Sequence, residues 1–284
     1  MQEAAGATDA LLGHVLAQSA SPRLAAAMRY ATLGAGKRLR PFLVIESARL
    51  FNVPPARALR VGAALECVHC YSLIHDDLPA MDNDDMRRGK PTTHKQFDEA
   101  TAILAGDALL TLAFEILADG QTHPDAKVRS ALVLELAKAS GKDGMAGGQM
   151  LDIEAESEAA AALAAILRIQ SHKTGALFRF ACEAGAILAG ADAAPLRRYA
   201  DGIGLAFQIA DDLLDLQATP EQVGKATQKD RRKGKATFVS LMGAAAAKAK
   251  AAELVRGAIA ALEGYGAKAD ALRSAAQFIV TRKS

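Results

Sequence analysis

The chain has 284 residues, 51% hydrophobic and 23% charged, which is enough apolar content to bury a sizeable core. With 34 Lys+Arg against 32 Asp+Glu the formal charge is +2, only 5% of residues are aromatic and Trp is missing. That excludes the basic excess and the stacking platforms of a nucleic-acid binder. Three Cys are too few for a disulfide framework and predict a reducing, cytoplasmic compartment. No basic leader precedes an apolar block and no run of ~18 apolar residues occurs, so neither a signal peptide nor a membrane span is expected.

Ala- and Leu-rich segments with helical apolar periodicity, and no useful period-2 alternation, predict an all-α fold. In chain order the predicted helices cover 3–19, 22–33, 38–51, 55–78, 95–118, 125–140, 158–190, 193–216, 236–263 and 268–281. Ser21-Pro22, Asn52 to Pro55, Gly89-Lys90-Pro91 and Asp119 to Pro124 supply breaks between them. No solenoid repeat and no Pro/Ser-rich linker divides the chain, which predicts one domain over 1–284.

Two acidic clusters stand where apolar helices end. The first holds Asp76, Asp77, Asp82, Asp84 and Asp85; the second holds Asp211, Asp212 and Asp215. A helix C-terminus carries partial negative charge, so Asp gathered there is unfavourable unless cations are present. Asp211 and Asp215 are spaced i,i+4 and share a face. Asp76 and Asp82 are about 240° apart on a straight helix, but Pro79 should break that turn and can bring them together. Oxygen-only ligands suit a hard cation, and Mg²⁺ usually takes one or two carboxylates plus phosphate and water. The two clusters facing one cavity would hold a diphosphate through bridging Mg²⁺.

Basic residues suited to that anion alternate with the acidic blocks. They are Lys37, Arg38 and Arg40 after Gly36, then Arg87, Arg88 and Lys90 around Gly89, then Lys173 before Thr174 and Gly175. A further basic stretch runs from Lys225 to Lys235. Arg offers phosphate a planar fork and Lys a point charge.

These motifs carry a resemblance. GKRLRP (36–41), DDLPAMD (76–82), RRG (87–89), GGQMLD (147–152), HKTG (172–175), FQIADDLLD (207–215) and GKAT (234–237) occur in the order found in short-chain trans-polyprenyl diphosphate synthases. The chain is similar to the bacterial farnesyl diphosphate synthases over residues 33–241. The resemblance implies one all-α domain of about ten helices around a deep central cavity, a homodimer, and three Mg²⁺ ions per active site when substrate is bound. It implies that Asp76, Asp77 and Asp82 hold metal on an allylic diphosphate, and that Asp211 holds a further ion with Asp212 and Asp215 in support. Arg87, Lys173 and Lys235 would grip the allylic diphosphate, with Lys225 and Asp230 beyond. Gly36, Lys37, Arg40, His69 and Arg88 would form the isopentenyl diphosphate site, and Thr174 and Gln208 would face the developing carbocation. Ala35 and Gln228 stand where the family commonly has Gly.

Tyr71 lies five positions before Asp76, a turn or more down the helix. The resemblance places an aromatic there in synthases that stop at fifteen carbons, which favours a farnesyl product over the geranylgeranyl alternative. A terpene cyclase usually lacks a second DDxxD, and a non-catalytic subunit tends to lose acidic motifs; both clusters are intact here. Cys67, Cys70 and Cys182 are expected to be core thiols. Met145 and Met150 are expected to be core filler at a close helix contact, with Gln149 and Asp152 near the cavity. His75 and His172 have no partner evident from sequence.

Overall fold

The computed structural model describes residues 1–34, 36–155, 163–217 and 237–281. The architecture is all-α. The helices are α1 (Gln2–Val15), α2 (Pro22–Thr32), α3 (Leu39–Leu50), α4 (Pro55–Asp76), α5 (Thr93–Gln96), α6 (Glu99–Ala118), α7 (Ala126–Ser140) and α8 (Met145–Ala155). They continue as α9 (Leu163–Gln170), α10 (Ala176–Ala189), α11 (Ala194–Gln217), α12 (Phe238–Met242), α13 (Ala244–Ala260) and α14 (Asp270–Thr281). A π-helical turn, Ser171–Gly175, joins α9 to α10, and a 3₁₀ segment, Glu263–Ala269, precedes α14. A two-stranded antiparallel hairpin, β1 (Met86–Arg87) and β2 (Lys90–Pro91), lies between α4 and α5.

The ends of these helices follow from their local chemistry. Pro22 and Pro55 stand at first-turn positions, where the missing N–H costs nothing. Ser21, Asp98 and Asp125 accept backbone N–H bonds at the starts of α2, α6 and α7. The run expected over 236–263 is interrupted at Gly243, which sits at φ +80° between α12 and α13.

Three helices are buried on nearly every side. In α3 the run Pro41–Ala48 is buried, as are Val61–Val68 of α4 and most of α10. Such helices lack a polar stripe because other helices surround them. Helix α4 packs on α6 and α3, α10 packs on α3, α7 and α11, and α11 packs on α13. The α3–α10 crossing is very close: a Cβ on Gly185 would lie 2.3 Å from the carbonyl carbon of Ser47. One core cluster runs from Ala4 to Ile279, with a smaller one of Ile166, Ile209, Phe238, Ala247 and Ala251. Cys67, Cys70 and Cys182 are free and buried, and burial pushes their thiols up, Cys70 to about 12. They are packing groups, as expected.

Helix α6 is long and apolar enough by composition to cross a membrane. It carries Glu99, Asp107 and Glu115, and one side packs against α4. Its outer side leaves Ile103 and Leu104 exposed.

Candidate active site

The first acidic cluster is folded back on itself, as Pro79 leads one to expect. Helix α4 stops at Asp76, and the Asp82 N–H donates to the Asp76 carbonyl at 2.9 Å, while Asp84 N–H donates to the Asp77 carbonyl at 3.2 Å. The backbone therefore closes a loop that returns Asp82 to Asp76. Burial pushes the Asp76 carboxyl up to about 6, and the nearby Asp82 and Asp77 charges add to the rise while Lys173 and Arg87 oppose it.

The RRG motif is the tip of the hairpin. Register pairs Met86 with Pro91 and Arg87 with Lys90, leaving Arg88 and Gly89 as the two loop residues. Both have positive φ, +52° and +74°, as a tight type I′ hairpin requires. Gly89 takes that conformation freely; Arg88 takes it against steric cost. The turn sends the two arginines to different places. Arg87 forms a bidentate pair with Asp77 through Nε at 2.8 Å and Nη2 at 2.6 Å. Arg88 reaches the loop before α3, where a Cβ on Gly36 would lie 3.2 Å from Arg88 Nη1 and 2.8 Å from Arg38 Nη1. A side chain at 36 would therefore crowd the two guanidinium groups.

In GKRLRP the three cations divide by role. Arg38 is fully buried, in the left-handed region at φ +49°, and pairs with Glu66 and Asp9, each at 2.7 Å. It also donates to the Thr32 carbonyl. Beside it Lys37 is exposed, and Arg40 lies 5.1 Å over the Phe178 ring with a buried Nε that has no hydrogen-bond partner among the described residues. An unmatched Arg donor inside a protein is costly unless an anion completes it. Burial and Arg88 lower the Arg40 pKa, opposed by Glu66 and Asp211, so the second acidic cluster is electrostatically near Arg40. His69 is held well below its usual value, first by burial and then by Arg40, Arg88, Arg87 and Arg38. It is a neutral imidazole among cations.

Lys173 and Thr174 sit in the π-helical turn, a geometry frequent at functional sites. Lys173 Nζ bonds Asp152 Oδ2 at 2.6 Å, and Thr174 Oγ1 donates to Gln170 Oε1 at 3.2 Å. Helix α8 reaches this turn through Gly148, where a Cβ would lie 2.1 Å from the Lys173 backbone nitrogen. Backbone cannot step aside as a flexible side chain can. Gly148→Ala is therefore expected to push α8 off the turn and lower stability by about 1–3 kcal/mol. An unchanged unfolding midpoint would count against this contact.

In the second cluster Gln208 Nε2 donates to Asp212 Oδ1 at 3.0 Å, and the Phe238 N–H donates to Asp212 Oδ2 at 2.9 Å. Asp212 thus joins α11 to the start of α12. Asp211 and Asp215 are half-buried on the same helix. Lys225, Asp230 and Lys235 lie outside the described residues.

The arrangement suits Mg²⁺. Burial first, and the neighbouring carboxylates only after it, holds the Asp76 carboxyl up at about 6, so its ionised form lacks solvation that a bound cation would replace. No group of three or more acidic, His or Cys side chains already converges on one metal position among the described residues. Mg²⁺ usually takes one or two carboxylates, with phosphate oxygens and water as its other ligands. Two hollows among the described residues lie elsewhere: about 670 Å³ between α1, α3 and α14, and about 590 Å³ beside Tyr265. A small one of about 40 Å³ backs Asp77 and Arg87.

Sequence reasoning missed the hairpin, helix α8 and the partners of His75 and His172. His172 Nδ1 lies 2.9 Å from the Asp143 carbonyl. Met145 is buried as expected, but Met150 is exposed and fills no core.

Known proteins resemble this chain over most of its length. The family described as Polyprenyl synthetase matches residues 21–274. The farnesyl diphosphate synthase of Escherichia coli (strain K12) is 47% identical over 263 residues, spanning 90% of this chain and 88% of that protein. A chloroplastic geranylgeranyl pyrophosphate synthase of Capsicum annuum is 43% identical over 260 residues, 90% of this chain and 70% of that one. The apo crystal structure of an FPP/GFPP synthase from Zymomonas mobilis superposes with a TM-score of 0.90 at 51% identity, covering 99% of this chain and 97% of the other. On the family match over residues 21–274 and identity of 47% to a relative spanning 90% of it, the chain belongs to the polyprenyl synthetase family.

Proposed function

We propose that the chain condenses isopentenyl diphosphate with dimethylallyl and then geranyl diphosphate and releases farnesyl diphosphate. Asp76 carries the reading: burial pushes its carboxyl up at the end of α4, where the backbone returns Asp82 to it and Arg87 and Lys173 stand near, an arrangement suited to an anion and its cations. Asp76 and Asp82 on one side, and Asp211 on the other with Asp215 and Asp212 beside it, would hold Mg²⁺. Bound there, the ions supply positive charge to the allylic diphosphate. Arg87 and Lys173 grip that diphosphate, joined by Lys225 and Lys235. Asp77 orients Arg87, and Asp152 orients Lys173.

Lys37, Arg40, Arg88 and neutral His69 take the second diphosphate. The allylic C–O bond breaks with its electron pair on the departing oxygen, and the alkene of isopentenyl diphosphate adds to the carbon left behind. One proton then leaves to the released diphosphate, so no protein base is required. Thr174 and Gln208 face the cation, and apolar helices exclude water from it.

Tyr71 is half-buried on α4 near Asp76, which supports it as the floor for the growing tail. The geranylgeranyl reading draws support from relatives at 43% identity. Tyr71 favours the shorter product. Residues 1–284 form one domain in this reading, consistent with a core running from Ala4 to Ile279. Exposed Ile103 and Leu104 on α6 with Leu134 on α7 support a homodimer that covers them. Three buried free thiols fit a cytoplasmic location.

Product analysis tests the reading. Labelled isopentenyl diphosphate with dimethylallyl or geranyl diphosphate should give a fifteen-carbon product, with activity lost on chelation and restored by Mg²⁺. Tyr71→Ala should lengthen the product. Activity persisting in chelator would remove the metal assignment, and a twenty-carbon wild-type product would remove the farnesyl assignment.

A further inference from the structure

We infer that His75 is a positioning residue for product length: wedged between Tyr71 and Gly106, it fixes the aromatic floor in place. The inference rests on the chain-elongating reading above. Tyr71 and His75 are one helical turn apart on α4 and share a face. Their rings meet edge to face, centroids 5.7 Å apart at 81°. His75 is itself held by the neighbouring helix, with Nε2 donating to the Ile103 carbonyl of α6 at 3.0 Å and Asp107 Oδ1 3.9 Å away.

Gly106 makes this placement possible. A Cβ there would lie 2.1 Å from His75 Nε2, 2.5 Å from Cδ2 and 2.9 Å from Cε1. The imidazole therefore rests on the bare backbone of α6, and any side chain at 106 would displace it. A floor stops a growing chain only when its ring cannot swing to another rotamer. Tyr71 is only partly buried, and its phenol has no hydrogen-bond partner among the described residues, so the ring beside it supplies the restraint. The anchor for that restraint is on α6 rather than on α4. Product length is then set by three residues on two helices, of which only one is an aromatic floor.

The test compares products of the full-length protein with dimethylallyl diphosphate, labelled isopentenyl diphosphate and Mg²⁺. His75→Ala should raise the fraction of twenty-carbon product at least tenfold while the first condensation keeps its rate within about twofold. Gly106→Ala, which leaves Tyr71 and His75 in the sequence but evicts the imidazole, should do the same. Because the added methyl meets the end of a side chain, this variant should fold. His75→Ala placed in Tyr71→Ala should add nothing, since the buttress has no floor left to hold.

Wild type stopping at fifteen carbons, Tyr71→Ala lengthening, and both buttress variants still stopping at fifteen would overturn the inference and leave the proposed function standing. Additive lengthening in the double variant would overturn it as well. A wild type that already reaches twenty carbons defeats the farnesyl reading itself, a result seen before any variant is compared.

Discussion

Asp76→Asn is expected to lower turnover by orders of magnitude and yet to stabilise the substrate-free protein at neutral pH. The first effect follows if Asp76 holds the charge that draws off the allylic diphosphate; Asp211→Ala should lower turnover to a similar degree for the same reason. The second follows from the direction of the Asp76 shift. Its folded-state value of about 6 lies above the ordinary 3.8, so the folded protein binds the proton more tightly than the unfolded chain. Stability is unaffected below the unfolded value and falls as pH rises through the folded one. Above pH 6 the ionised carboxylate costs about 1–3 kcal/mol, which an amide does not. Unfolding midpoints in metal-free buffer, at fixed protein concentration, should favour the variant at pH 7.5 and coincide near pH 3.5. A variant less stable at both would show that Asp76 is a structural partner rather than a charge held for a ligand.

Glu66→Ala should be among the most destabilising single changes, by about 3–5 kcal/mol. Arg38 is wholly inside, and Glu66 is its buried counter-ion, 2.7 Å away. Removing the carboxylate leaves a guanidinium with Asp9 and one carbonyl, and Arg38 also holds a left-handed backbone conformation. Replacing both partners with apolar residues, Glu66→Leu with Arg38→Met, should be less damaging than Glu66→Ala alone. The surviving Glu66→Ala protein should also show a raised KM for isopentenyl diphosphate, because the strained residue stands between Lys37 and Arg40. An unfolding midpoint within a degree of wild type would refute the role given to this pair.

Much of this could be read from sequence because the helices are bounded by local chemistry. Pro22, Pro55 and Pro79 mark limits that tertiary structure does not move, and residues 55–76 and 194–217 lie within two residues of their expected ends. The acidic clusters were legible because like charges at a helix end demand an outside cation. Helix α8 was not. Its Gly147-Gly148 pair opposes helix formation locally, and only the close approach to Lys173 explains why glycine is there. The π turn at 171–175 carries no local signature in the sequence, and α8 packs against it. Arg38 looked like another phosphate-binding cation, because sequence cannot tell a buried arginine from an exposed one when its partners are Asp9 and Glu66. Asp152 was placed near the cavity, but its bond to Lys173 is a tertiary fact.

The hairpin that carries Arg87 and Arg88 has an evolutionary consequence. Surface loops generally absorb insertions and deletions, but here two consecutive residues point to opposite sides, one toward Asp77 and the other toward Gly36. Adding or removing one residue before the turn would exchange the two side chains between destinations, and would shift the position that must adopt positive φ away from Gly89. Six residues, 86–91, are thus frozen in length although they lie on a connecting segment. Divergence at this place must proceed by substitution, and relatives that differ in product should differ elsewhere.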